Sequence, residues 1–260
     1  MKNRINQLFQ DKKENILSIY FTAGYPQLED TIPIIQTLEK NGVDLIEIGM
    51  PFSDPVADGP VIQNSSKVAL ENGMSVSLLF KQLAGIREQV KIPLILMGYL
   101  NPVIQFGVEE FCKKCREVGI DGLILPDLPL SVYQEEFQDV FEQYGLHNIL
   151  LITPQTSVAR ISQIDEASNG FIYMVSSSST TGAKSKVSDF HLAYFERVKS
   201  MNLRNPRLIG FGISNKETFE NACKYAAGAI IGSAFVKAMD QEITLEERIS
   251  DFVKSVVKPA

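Results

Sequence analysis

The feature that most constrains the fold of this chain is a regular alternation of short apolar segments with longer segments of helical periodicity. Eight such units follow one another within 260 residues. The apolar segments are rich in β-branched residues on both faces, which is typical of parallel strands covered by helices. Eight units of this size predict a (β/α)8 TIM barrel, with a doubly wound open sheet as the alternative. The predicted strands span residues 16–21, 43–50, 92–99, 122–125, 148–153, 171–176, 207–211 and 228–231.

The chain shows no internal boundary. No linker, low-complexity tract or change of composition divides it, so we expect a single barrel domain over residues 1–260. An additional amphipathic helix is predicted at residues 2–14, ahead of the first strand. The last helix is predicted to run without interruption from Ser233 to the C terminus.

Composition disfavours several classes of function. The formal net charge of −6 does not suit a protein that neutralises phosphates, so we expect no nucleic-acid partner. No apolar run reaches about 18 residues, and the N terminus lacks the apolar stretch of a signal peptide. We therefore expect no membrane association. Three cysteines in a chain of this length do not form a disulfide framework, which favours the reducing cytoplasm.

Glu47 is the first candidate catalytic residue. In the predicted second strand, side chains alternate between the two faces, so that Glu47 shares a face with Leu45, opposite Ile46 and Ile48. If the isoleucines pack against helices, Glu47 points into the barrel mouth, where catalytic groups of such barrels lie. Burial there should raise the pKa of Glu47 and suit acid–base catalysis. The alternative is a structural glutamate paired with a Lys or Arg, although the strand interiors contain no obvious cation.

Two aspartates follow Glu47 in a loop rich in proline. Asp58 lies in Ala-Asp-Gly-Pro and Asp54 in Ser-Asp-Pro, and both patterns commonly form turns. A turn role is as well supported as a catalytic role for Asp58, and better supported for Asp54. Spacing alone does not decide between these roles.

Two glycine-containing loops follow the last two predicted strands. Gly210-Phe-Gly-Ile-Ser-Asn215 ends the seventh strand and Ile231-Gly-Ser-Ala-Phe235 ends the eighth. Glycines allow close approach to the backbone, and helix N termini attract anions, so the loops predict a phosphate site. Ordinary capped turns are the alternative. The run from Ser176 to Gly182 is interpreted equally well as a mobile lid or as a surface loop.

Cys112 and Cys115 form a lone C-x-x-C pair. Their spacing together with Val108 and Phe111 follows one helical face, which favours core packing over a redox motif or a zinc site. We therefore predict no metal site.

The segment from Leu45 to Gln63 resembles the signature of the tryptophan synthase alpha chain family. It reads Leu-Ile-Glu-Ile-Gly-Met-Pro-Phe-Ser-Asp-Pro-Val-Ala-Asp-Gly-Pro-Val-Ile-Gln. The similarity continues, in order and spacing, through Thr181-Gly182, Gly210-Phe-Gly-Ile-Ser214 and Gly232-Ser-Ala234. It covers nearly the whole chain. The Glu–Asp signature is specific, whereas many phosphate-binding barrels share the glycine loops.

The resemblance implies a lyase that performs the retro-aldol cleavage of indole-3-glycerol phosphate to indole and glyceraldehyde 3-phosphate. Glu47 is then the general acid–base residue, and Asp58 holds the indole N–H. The other implied substrate contacts are Tyr20, Ile62, Tyr173 and Phe211 around the indole, Gly182, Gly212, Gly232 and Ser233 at the phosphate, and Thr181, which positions the aspartate. No metal or organic cofactor is implied in this chain.

The resemblance also implies a protein partner. The family pairs with a pyridoxal-phosphate-dependent beta chain in an α2β2 heterotetramer, and residues 51–54, the segment around Asn101 and the predicted lid would face it. The lid departs from the family, since Ser-Ser-Ser-Ser-Thr-Thr-Gly stands where many members carry an Arg and an additional Gly. Two alternatives stay open: another phosphate-sugar barrel enzyme, such as an isomerase or epimerase, and a non-catalytic barrel that activates a partner.

Overall fold

The computed structural model describes residues 3–175, 189–210 and 212–257. These residues form one sheet of nine parallel strands, in the spatial order β5-β4-β3-β2-β1-β9-β8-β7-β6. The strands are β1 (Ile16–Thr22), β2 (Leu45–Gly49), β3 (Leu94–Met97), β4 (Gly122–Ile124), β5 (His147–Asn148), β6 (Leu150–Ile152), β7 (Ile172–Val175), β8 (Arg207–Gly210) and β9 (Gly228–Ile231).

The two ends of this sheet belong to one stretch of chain. Only Ile149 separates β5, which pairs with β4, from β6, which pairs with β7. The backbone N–H of Ile149 also donates to the carbonyl oxygen of Leu123 in β4, at 2.9 Å. The predicted fifth strand therefore joins both edges and closes the barrel, which confirms the (β/α)8 architecture.

Helices surround the barrel, and among the described residues none is long and apolar enough to cross a bilayer. The helices are α1 (Arg4–Asp11), α2 (Thr31–Lys40), α3 (Pro60–Glu71), α4 (Val76–Leu83), α5 (Leu100–Phe106), α6 (Val108–Val118), α7 (Leu130–Val132), α8 (Gln138–Gln143), α9 (Val158–Ala167), α10 (Asp189–Lys199), α11 (Lys216–Cys223), α12 (Ser233–Ala238) and α13 (Leu245–Val256). A π-helical segment, Tyr133–Phe137, connects α7 to α8, and Leu28–Asp30 and Ile86–Glu88 are short 3-10 helices.

The prediction of one unbroken helix from Ser233 to the C terminus is wrong. The chain leaves the helix after α12 and starts α13 with a capping box. Thr244 accepts a hydrogen bond from the backbone N–H of Glu247 at 3.3 Å, and the Glu247 carboxylate accepts from the Thr244 N–H at 3.1 Å. The Thr-x-x-Glu spacing is a sequence signal for a helix start, so the start of α13 is predictable from the sequence. The short helix α5 was not predicted either.

Two apolar layers form the core. The outer layer lies between strands and helices and contains Ile46 and Ile48. The inner layer fills the barrel and consists of Ile5, Phe9, Ile16, Leu45, Ile95, Ile124, Ile149, Phe171, Tyr173, Val175, Leu208 and Ile230. Phe9 contacts Phe171 with ring centroids 5.7 Å apart. The predicted N-terminal helix α1 therefore closes the floor of the barrel, opposite its mouth.

A buried ion-pair network anchors α1 to this floor. Asp121 is 3% exposed and forms two ion pairs. Its Oδ1 lies 2.9 Å from the guanidinium of Arg4, and its Oδ2 lies 2.6 Å from that of Arg87. Its Oδ2 also accepts the backbone N–H of Leu94 at 3.0 Å. A buried carboxylate requires such partners, because an unpaired charge in the interior is costly.

We predict that Ile5→Ala destabilises the protein by ~2–4 kcal/mol, because it opens a cavity in the barrel floor. Ile5 is fully buried, and a Cβ added at Gly122 or Gly170 would come within 3.1 or 3.3 Å of its side chain. Urea unfolding measures the change. Ile104→Ala removes the same atoms from a residue that is 52% exposed, and should cost less than about 0.5 kcal/mol. Equal losses for the two variants would contradict the role of α1.

Candidate active site

Glu47 lies on the inner face of β2 and is fully buried. Its neighbours in register are Tyr20 on β1 and Ile95 on β3. Since Leu45 joins the inner apolar layer and Ile46 the outer one, the predicted inward orientation of Glu47 is confirmed.

Ser18 makes a polar contact with the carboxyl group of Glu47. The Ser18 hydroxyl donates to Oε1 at 2.8 Å, whereas Oε2 is buried and has no hydrogen-bond partner among the residues that the structure describes. Within those residues, no Lys or Arg forms an ion pair with Glu47, so the alternative of a structural pair receives no support. Burial raises the pKa of Glu47 to about 8, although the hydrogen bond from Ser18 lowers it.

Asp58 lies half-buried in the loop between β2 and α3. Its backbone N–H donates to the Pro55 carbonyl oxygen at 3.0 Å, so it does form a turn. The Tyr99 hydroxyl donates to Asp58 Oδ2 at 3.0 Å and accepts the backbone N–H of Ala57 at the same distance. Burial raises the pKa of Asp58, and the hydrogen bond from Tyr99 lowers it. The turn and a candidate site role therefore coexist in one residue.

Sequence reasoning did not single out Tyr99 or Ser18. Tyr99 was the last residue of the predicted third strand, the position at which barrel enzymes place functional groups, so a signal was present. Ser18 precedes Tyr20 by two residues on the same strand and shares its face. Asp54, by contrast, is exposed and accepts a hydrogen bond from the adjacent Ser53 hydroxyl at 2.5 Å.

Two tyrosines line the mouth beside the carboxyl groups. A Cβ at Gly49 would overlap the Tyr20 hydroxyl, and a Cβ at Gly210 would overlap the ring of Tyr173, so each ring depends on a glycine for its space. Burial raises the pKa of both tyrosines, and the charges of Glu47 and Asp58 raise it further. These groups therefore share one electrostatic environment.

The remaining predicted contacts fall on α3 and on two loops. Ile62 is 8% exposed and packs, near the start of α3, in the cluster that Tyr20 contacts. Gly212 adopts a φ of +78° after β8, a value that favours glycine. Asn215 then caps α11.

The loop after β9 borders Tyr20 at the mouth of the barrel. Gly232 precedes α12 as its N-cap residue, and Ser233 is the first residue of the helix. A Cβ at Gly232 would contact Tyr20 at 3.4 Å, so this loop borders the same mouth. The predicted contacts Thr181, Gly182 and Phe211, and the predicted lid, lie outside the described residues.

A closed parallel barrel with a buried carboxyl group inside its mouth is typical of one class of protein, the (β/α)8-barrel enzymes. Comparison with known proteins gives the family. The model of the tryptophan synthase alpha chain family matches residues 6–258. The chain belongs to this family, which confirms the resemblance.

Individual relatives agree over nearly the whole length. A tryptophan synthase alpha chain from Flavobacterium johnsoniae is 62% identical over 254 residues, covering 98% of this chain and 99% of the relative. The corresponding protein from Bacteroides fragilis is 58% identical over 248 residues, with coverages of 95% and 94%. Among solved structures, tryptophan synthase subunit alpha from Legionella pneumophila is 32% identical, with a TM-score of 0.87 and coverages of 98% and 97%.

The raised pKa of Glu47 predicts a pH-dependent effect of Glu47→Gln on stability. The native pKa, about 8, exceeds the ordinary value of 4.5, so the contribution of the neutral side chain is complete below about pH 4.5. It is then lost at ~1.4 kcal/mol per pH unit until about pH 8. Because glutamine does not ionise, Glu47→Gln should gain a few kcal/mol over the wild type between about pH 5 and about pH 8.5.

Urea unfolding at the two pH values tests this expectation. Glu14→Gln changes an exposed glutamate and serves as the control. A difference between Glu47→Gln and the wild type that does not change with pH would show that Glu47 ionises normally.

Proposed function

We propose that Glu47 and Asp58 carry the reaction of this alpha chain, the retro-aldol cleavage of indole-3-glycerol phosphate to indole and glyceraldehyde 3-phosphate. The enzyme is a carbon–carbon lyase of L-tryptophan biosynthesis, and membership of the family favours this activity over that of an isomerase or epimerase. The observation that carries the assignment of the residues is the state of Glu47. It is a fully buried carboxyl group that has no cation among the described residues, has one unpartnered oxygen and has a pKa of about 8.

The cleavage requires two proton movements. C3 of the indole must gain a proton so that the bond to the glycerol carbon can break, and the glycerol hydroxyl must lose one as it becomes the aldehyde. A carboxyl group with a pKa near neutrality gives and takes protons readily under cellular conditions. We assign both movements to Glu47, whose Oε2 is free of protein hydrogen bonds in the described part of the chain.

Asp58 has the complementary task in this proposal. Protonation at C3 leaves a positive charge on the ring nitrogen, and an ionised carboxylate near the indole N–H stabilises that charge. Tyr99 supports this role, since its hydroxyl favours the ionised form of Asp58. Two carboxyl groups in different environments can thus hold different protonation states.

The rest of the mouth suits the two ends of the substrate. Tyr20, Ile62 and Tyr173 offer apolar surface for the indole, and Phe211 is assigned to the same wall. The backbone of Gly212, Gly232 and Ser233 is assigned to the phosphate, because helix N termini and glycine loops favour anions. Gly182 is assigned to the phosphate as well, and Thr181 to the positioning of Asp58.

The alpha chain acts with a beta chain, which receives the indole. We propose an α2β2 heterotetramer in the cytoplasm. The proposed docking surface for the beta chain contains two exposed apolar residues near the mouth, Val56 at 84% and Ile104 at 52% exposure. A groove of about 450 Å³ lies beside Val56, between the loop after β2 and α3, and its apolar lining includes Phe52 and Leu70. Exposed apolar surface of this kind is typical of a protein interface.

Activity of the purified chain tests the two carboxyl groups. Glu47→Gln should lower kcat by ~10³-fold or more, because the acid and the base are lost together. Asp58→Asn should lower kcat by ~10²-fold. Asp54→Asn removes a carboxylate from the same loop and is the matched control, which should retain most activity without a beta chain. Wild-type turnover by Glu47→Gln would overturn the assignment.

The phosphate assignment predicts that Gly232→Val raises KM at least ~10-fold with a smaller effect on kcat, because side-chain atoms block close approach to the backbone. A Cβ at Gly232 would meet only ordinary contacts, so we expect Gly232→Ala to keep the fold, and circular dichroism checks the fold of the valine variant. Gly232→Ala should give a smaller increase in KM. Steady-state kinetics with indole-3-glycerol phosphate, together with circular dichroism, measure both effects. An unchanged KM in the valine variant would remove Gly232 from the phosphate site.

A further inference from the structure

We infer that Ser18 is a positioning residue for the lyase reaction: its hydroxyl occupies one oxygen of Glu47, so that the other oxygen alone exchanges a proton with the substrate. The inference rests on the proposed role of Glu47. It concerns the orientation and acidity of that group, to which Ser18 contributes without touching the substrate.

The geometry of the contact is set by the pairing of β1 with β2. Ser18 is in register with Leu45, and Tyr20 with Glu47, so Ser18 and Glu47 are diagonal neighbours on the inner face. Both side chains are fully buried, and Oγ lies 2.8 Å from Oε1. The inner layer around this pair is apolar and includes Ile95.

The two oxygens of Glu47 are not equivalent in this arrangement. The single hydroxyl proton of Ser18 points to Oε1, which accepts it, so the proton of neutral Glu47 belongs on Oε2. Oε2 has no hydrogen-bond partner among the described residues, although it is buried. An unpaired buried polar atom is costly, and such atoms often mark a place where a ligand binds. The unpaired oxygen is therefore the one available to the substrate.

Ser18 also opposes the effect of burial on the pKa of Glu47, in a pocket that several other groups face. Tyr20 approaches from β1, Tyr173 from β7 and Asp58 from the loop after β2, while β3 presents the apolar Ile95. Of the described groups, Ser18 donates to the carboxylate form and so keeps the pKa of Glu47 from rising further.

The direct test is a ¹³C NMR titration of the full-length protein labelled at glutamate side-chain carboxyl carbons. The signal of Glu47 is identified by its absence in Glu47→Gln. Ser18→Ala should raise the titration midpoint of Glu47 by about one pH unit, as expected for the loss of a hydrogen bond to a charged acceptor. Ser18→Cys, which keeps the size but donates weakly, should also raise the midpoint, so the test does not depend on one variant.

Ser168→Ala is the matched control. Ser168 is also a buried serine, at 1% exposure, but it follows α9 far from the mouth, and its hydroxyl has no partner among the described residues. This variant should leave the titration of Glu47 and the pH profile of kcat unchanged. In Ser18→Ala, the pH profile of kcat should move upward by the same amount as the midpoint, with little change in KM.

The outcomes separate this inference from the proposed function. An unchanged midpoint in both Ser18 variants would overturn the inference, even if Glu47→Gln is inactive. An active Glu47→Gln would overturn the catalytic role of Glu47 and the inference with it, although the titration would still report the contact. A shifted midpoint without a shift of the kcat profile would show that Ser18 tunes the acidity of Glu47 but does not position it for catalysis.

Discussion

Closure of the barrel is the constraint on which the rest of the structure depends. Once parallel strands close, alternate residues of each strand must share a narrow interior, and only side chains that fill it are tolerated. Here the interior is sealed below by Ile5 and Phe9 of α1 and filled above them by an apolar layer. A polar group admitted to this interior loses its water, so its chemistry is decided by the few partners that neighbouring strands supply.

The floor and the mouth handle buried carboxyl groups in opposite ways. Asp121 in the floor has two arginines and a backbone N–H, which together stabilise its charge and attach α1. Glu47 in the mouth has one serine hydroxyl, and burial dominates its pKa. In the floor, the partners of Asp121 stabilise its ionised form and thereby the packing of α1. The arrangement in the mouth leaves Glu47 neutral over a wider range of pH, because burial raises its pKa.

The sequence could predict what depends on periodicity and could not predict what depends on pairing between distant segments. Alternation along β2 sufficed to orient Glu47, and the order of strands and helices sufficed for the barrel. The contacts of Ser18 with Glu47 and of Tyr99 with Asp58 depend on the relative register of separate strands and on the path of a loop, which periodicity does not contain. Local signals were also overlooked, as the capping box at Thr244 shows.

The loop after β2 ties the candidate site to the proposed docking surface. Val56 is almost fully exposed, whereas the next two residues both bond to the Tyr99 hydroxyl, Ala57 through its N–H and Asp58 through its carboxylate. Only Ala57 lies between Val56 and Asp58, so few backbone torsions separate the exposed side chain from the anchored carboxylate. The exposed apolar surface and the candidate site are therefore neighbouring parts of one loop, held by the same hydroxyl.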